Sequence, residues 1–98
     1  MQLPSDVTAF ASRSFPAPEQ GVALSALAAA RLHDGTEPDA RMLRCALVGS
    51  RGSLDTLRVL IGMLAVDWRD VIMCGEYELQ GNDTVRVRDL SKPLSAEV

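Results

Sequence analysis

Leu54, Leu57, Leu60, Ile61 and Leu64 recur at spacings of three and four, the clearest helical period in the chain. Ser53 precedes them with the side chain of an N-cap, and Asp55 falls in the first turn, where the helix dipole favours an anion. Three helices are predicted upstream. Ser5 or Asp6 caps the first, which gathers Val7, Phe10 and Ala11 on one side. Pro16 and Pro18 end it, because the residue before a proline is driven out of the α region. Pro18 and Glu19 suit the first turn of a second helix bearing Ala23, Leu24, Ala26, Leu27, Ala28 and Ala30. It is expected to run to about His33 and stop at Asp34-Gly35. Thr36 and Asp39 bracket a capping-box-like start with Pro38 in the first turn, and Met42, Leu43, Cys45, Ala46 and Leu47 form a third helix ending at Gly49.

Past the fourth helix the pattern admits three continuations. Asp67 can cap a fifth, shorter helix through Trp68, Val71 and Ile72 to Gly75, which is the preferred reading. Leu57, Ile61, Leu64, Trp68, Ile72 and Gly75 also stay in phase with one longer helix, and a strand through residues 71–74 is the third option. After Gly75 the period shifts to two: Tyr77 and Leu79, then Val85 and Val87, flank Gly81-Asn82-Asp83 as in a β-hairpin. A two-residue turn at Gly81-Asn82 pairs Leu79 with Thr84 and Tyr77 with Arg86, mixing apolar with polar. A three-residue loop pairs Leu79 with Val85, Tyr77 with Val87, Glu78 with Arg86 and Glu76 with Arg88, so it is the register expected.

The fold class that follows is mainly α: a small orthogonal bundle of four to five short helices with a C-terminal β-hairpin, α+β at the margin. Residues 1–98 form one small globular domain, with 1–5 and 91–98 as loose tails. Hydrophobic residues make up 47% and charged residues 23% of the chain, an ordinary globular balance. A net charge of −3 weighs against a nucleic-acid partner. The longest apolar window, 59–66, falls far short of the ~20 residues a membrane span needs, and the first ten residues have no basic region of a secretory signal. Arginine supplies all the basic residues except Lys92, and alanine greatly outnumbers isoleucine, a bias that suggests a GC-rich bacterial genome. Cys45 and Cys74 lie in apolar segments and read as buried free thiols, which points to a cytoplasmic protein.

Candidate chemistry is sparse. Gly49, Ser50, Arg51, Gly52 and Ser53 open the fourth helix with backbone amides, an arginine and two hydroxyls, the ingredients of a phosphate or anion site, with Arg44 and Arg58 near in sequence. The simpler reading is a helix–helix connection, with Gly49 as C-cap and Ser53 as N-cap. His33, the only histidine, sits at a helix end without a partner nucleophile. The single histidine and two cysteines do not space as a metal site, and no cofactor fingerprint occurs. Asp67, Asp70, Glu76 and Glu78 are read as caps and as the polar face of the hairpin, and Trp68 as a core residue.

Val59, Met63 and Val66 extend the apolar set of the fourth helix well beyond its core face, and Tyr77 is an amphipathic aromatic on a hairpin that needs a surface. These four are candidate interface residues. The function expected from the sequence is therefore a non-enzymatic protein-interaction module that self-associates as a homodimer. No cofactor or metal is expected. The alternative is phosphate or nucleic-acid binding through Gly49–Ser53.

Overall fold

The computed structural model describes residues 2–94. Five helices, α1 (Ser5–Ser14), α2 (Ala17–Ala29), α3 (Ala40–Gly49), α4 (Leu54–Leu64) and α5 (Trp68–Glu76), precede an antiparallel hairpin of β1 (Tyr77–Gln80) and β2 (Asp83–Arg86). The architecture is mainly α with a C-terminal hairpin, as the hydrophobic pattern requires.

Local chemistry sets most boundaries. Asp39, Ser53 and Asp67 each accept a backbone N–H at the start of α3, α4 and α5, from Met42, Thr56 and Arg69 respectively. Asp67 is extended (φ −151°, ψ 98°), and this break keeps α5 separate from α4 although the apolar stripe stays in phase. Three expectations need correction. The α1 N-cap is Pro4, with no side-chain cap, so neither Ser5 nor Asp6 has that role; the Asp6 carboxylate is turned instead to Arg44. The α3 cap is Asp39 alone, because Thr36 donates its hydroxyl and its N–H to the Asp34 carboxylate. That Asx turn, with Gly35 at φ +85°, forms its own loop after α2, which ends at Ala29 rather than His33. Arg31 closes the end of α2 by donating to the Ala28 and Ala30 carbonyls.

The core is built around α3, in which Leu43, Cys45, Ala46 and Leu47 are all buried. Val7, Ala11, Ala23, Leu27, Leu57, Leu60, Leu64, Val71 and Leu90 join them from the other segments. Trp68, expected in the core, is 42% exposed on the first turn of α5, while Val71 and Ile72 fill that helix's inner face. The α3–α5 approach is the tightest in the molecule. A Cβ added to Gly75 would lie 2.5 Å from the Cys45 Cα, and one at Gly49 would lie 3.1 Å from Leu60 Cδ1.

The hairpin adopts the register that apolar pairing disfavours: Tyr77 opposite Arg86, Glu78 opposite Val85, Leu79 opposite Thr84, and Gln80 opposite Asp83. Gly81, at φ +63°, takes the first position of a two-residue turn, where a II′ turn needs positive φ. Leu79 is consequently 74% exposed, so the hairpin is not seated by an apolar face. A charge seats it: the observed register delivers the Arg86 guanidinium to Glu76, with Nε 2.9 Å from Oε1. The backbone adds a bond from Val87 N–H to the Glu76 carbonyl (2.8 Å).

Residues beyond the hairpin cross the helices as a strap. Leu90 is buried in the core, and Leu94 N–H donates to the Asp6 carboxylate (3.0 Å). Of the segments expected to be tails, Met1 and 95–98 lie outside the described residues.

Two glycine substitutions separate close packing from helix propensity. Gly75→Ala forces a methyl group into the α3 backbone and should destabilise by about 2–3 kcal/mol, as core overpacking does. Gly62→Ala, where an added Cβ meets nothing within 4 Å, should stabilise by about 0.5–1 kcal/mol. Urea denaturation of both variants reads the two signs directly.

Candidate functional site

The outer side of α4 is the first candidate surface. Leu57, Leu60 and Leu64 face the core; Val59 lies on the outer side of α4, Met63 on its flank against the core, and Val66 in the turn just beyond the helix. Val59 is 62% and Val66 83% exposed, Met63 is partly buried, and the space above Gly62 is open. Tyr77 does not join this ridge. It begins β1, half-buried, and lines an open depression of about 460 Å³ with Gly49, Arg51, Cys74, Glu78 and Leu79.

The loop 49–53 is ordered by its own punctuation. Gly49 is the last residue of α3, and Ser50 is buried with its hydroxyl donating to the Leu47 carbonyl (2.7 Å). Arg51 (φ +52°) and Gly52 (φ +77°) turn the chain through the left-handed region, and the Ser53 hydroxyl caps α4. Arg51 is exposed, but Arg44 does not accompany it: that side chain is buried and bound to Asp6, Nε to Oδ2 at 2.8 Å. Arg44, Arg51 and Arg58 therefore make no common basic patch.

The most elaborate polar cluster in the molecule centres on a residue assigned above to the hairpin's polar face. Glu76, the last residue of α5, is fully buried. Its Oε2 accepts from Arg41 Nε (2.8 Å) and Leu90 N–H (3.1 Å), and its Oε1 accepts from Arg41 Nη2 (2.8 Å) and Arg86 Nε (2.9 Å). The Cys45 thiol approaches Oε2 at 3.8 Å. Arg88, expected opposite Glu76, instead bonds Glu78 and the Gly75 carbonyl. Hydrogen bonds from Arg41 hold the Glu76 carboxyl below its usual 4.5 although burial opposes them. Burial and the neighbouring carboxylate push the Cys45 thiol up to about 12, which makes it an inert core group. One signal for this cluster was present in the sequence. Glu76 lies four residues after Ile72, on the apolar stripe of α5, where a charge must be buried with partners.

The remaining candidates lie apart. His33 lines a shallow depression of about 210 Å³ with Leu32, Asp34 and Trp68. Cys74 is exposed, not buried as expected. Among the described residues no three histidine, cysteine or carboxylate side chains gather to hold a metal ion, and no helix is long and apolar enough to cross a membrane. No protein-family model, no curated protein and no solved structure matches this chain.

The Glu76 cluster sets an acid limit on stability. Glu76 and Asp6 both have lowered folded-state values, so their contribution is complete above the usual carboxyl values of 4.5 and 3.8 and is lost as pH falls through the lower folded ones. Glu76→Gln should cost about 3 kcal/mol at neutral pH, the low end for a broken buried pair, because Arg41 and Arg86 are half-exposed and can turn to water. Chemical denaturation from pH 7 down to about 3 should show a shallower acid loss in the variant than in the wild type.

Proposed function

We propose that this chain is a small cytoplasmic interaction module without catalytic activity, which self-associates through the outer face of α4. The observation that carries the reading is the pair Val59 and Val66, exposed in solvent on either side of an open Gly62 with the half-buried Met63 beside them. Apolar side chains scattered singly need no explanation, but two exposed valines along and just past a helix already buried on its other side, with a methionine between them, suit a contact surface. The two cysteines, both free, support the cytoplasmic assignment.

A second copy suits this ridge. An isologous two-fold contact sets the same patch against itself, and antiparallel helices place the two ends of each ridge together. Arg58, exposed on α4, forms no salt bridge among the described residues, and Asp70 lies beyond the C-terminal end, next to an Asp67 already paired with Arg69 (3.1 Å). Antiparallel pairing brings these opposite charges near each other twice. The helix is only about 16 Å long, so its face alone buries far less than the ~800 Å² per partner of a standard interface. The pairing is accordingly weak and concentration-dependent. The anion reading of Gly49–Ser53 is weaker still, since Ser50 and Arg44 are bonded inside the protein.

Light scattering after size exclusion, at two protein and two salt concentrations, tests this reading. The dimer fraction should rise with protein concentration and fall only modestly with salt, since the ridge is apolar. Val66→Asp should give monomer with an unfolding free energy within about 0.5 kcal/mol of the wild-type monomer, as an exposed position allows. A wild-type chain still monomeric at about 1 mM, where even about −4 kcal/mol of association registers, would refute it.

A further inference from the structure

We propose that the groove between α1, α3 and α5 is a peptide-binding site, filled here by the chain's own residues 87–94 and able to take the same segment from a second copy. This goes beyond the α4 reading and uses a different surface.

The inference rests on how that segment is held. Beyond β2 it has no helix or strand of its own, apart from a turn near Ser91. Three charged side chains, one from each helix, grip its main chain. Glu76 accepts from Leu90 N–H (3.1 Å), Asp6 accepts from Leu94 N–H (3.0 Å), and Arg44 Nη1 donates to the carbonyls of Leu90 (3.3 Å) and Ser91 (3.5 Å). Only two of the segment's side chains enter the interior: Leu90, 2% exposed within the core, and Leu94, packed against it. Main-chain bonds for affinity with spaced apolar pockets for selection are the logic by which proteins read extended peptides. The gripping groups are also paired within the helices. Arg44 is tied to Asp6 and Arg41 to Glu76, each at 2.8 Å, so the gripping groups are held in place by their own pairing.

The ligand chemistry is thus an extended peptide with leucines four residues apart, of which Leu90-Ser91-Lys92-Pro93-Leu94 is the example at hand. The short link after Arg86 makes exchange of this segment between copies a local event, the geometry of a segment swap. Attached in cis, the segment has an effective concentration on the order of mM, so the intact chain fills its own groove at low concentration.

The test uses the full chain carrying Leu90→Ser as acceptor and a dye-labelled peptide of residues 87–94 as probe, read by fluorescence anisotropy. A folded acceptor should bind the peptide saturably at one to one, at least ~10-fold tighter than the wild-type chain, whose groove is occupied. A peptide with both leucines changed to serine should not bind, and adding Val66→Asp to the acceptor should change nothing. A second arm keeps every groove residue: a protease site inserted between Arg88 and Asp89 is cut after folding, and the labelled peptide should displace the released segment. Failure of the folded acceptor to bind, or equal binding of the serine peptide, overturns the proposal. If Leu90→Ser does not fold, the nicked chain decides: displacement supports the proposal and its absence overturns it.

Discussion

A carboxylate taken out of water must be surrounded by donors, and most of this structure is arranged to meet that demand at Glu76. The residue lies where α5 ends and β1 begins, so its side chain sits at the junction of the helical layer, the hairpin and the strap. Arg41 reaches it from α3, Arg86 from β2, and the Leu90 amide from the strap. Burying an ion pair is costly on its own, and such a cluster stabilises less than its short distances imply. Its effect is on specificity. Alternative hairpin registers would pull Arg86 away and leave a charge stranded in the interior, so the register follows the charge even though Leu79 is left in solvent.

That cluster is possible because α3 and α5 lie unusually close. Gly75 has no side chain where the Cys45 backbone passes, and Gly49 gives similar room near Leu60 and Cys74. With bulkier residues there, the helices would stand apart and Arg41 could not close on Glu76 in a bidentate grip. The close approach also leaves α3 buried along most of its length. On α4 the exposed side carries Val59 beside Gly62, next to Asp55 and Arg58, and that valine with Val66 beyond the helix is the reason for reading the face as a contact surface.

Much of the fold was legible in the sequence because short-range rules decided it. The period of Leu57, Leu60 and Leu64, and the side chains of Ser53, Asp39 and Asp67, fixed three helix starts through local hydrogen bonds. The errors came where distant partners competed. Asp6 is a good cap by type, but Arg44, 38 residues away, claims it. The hairpin register looked decided by cross-strand pairing, but Glu76 outweighed the apolar match, and a strap tied across three helices leaves no local pattern to read. Trp68 reads as a core residue by type and spacing, but on the first turn of α5 it faces solvent while Val71 and Ile72 fill the inner face. Of the candidate surfaces, the α4 ridge could be named from spacing alone, whereas the groove needed the tertiary structure.

The central claim is that one buried carboxylate fastens both hairpin and strap to the helices. Native-state hydrogen exchange on wild type and Glu76→Gln, followed at the amides of Val87 and Leu90 and of Leu60 within α4, tests it most directly. The account predicts that Val87 and Leu90 lose far more protection in the variant than Leu60 does, because the strap opens before the helices. Equal losses at all three sites, or Leu90 protection unchanged, would contradict it.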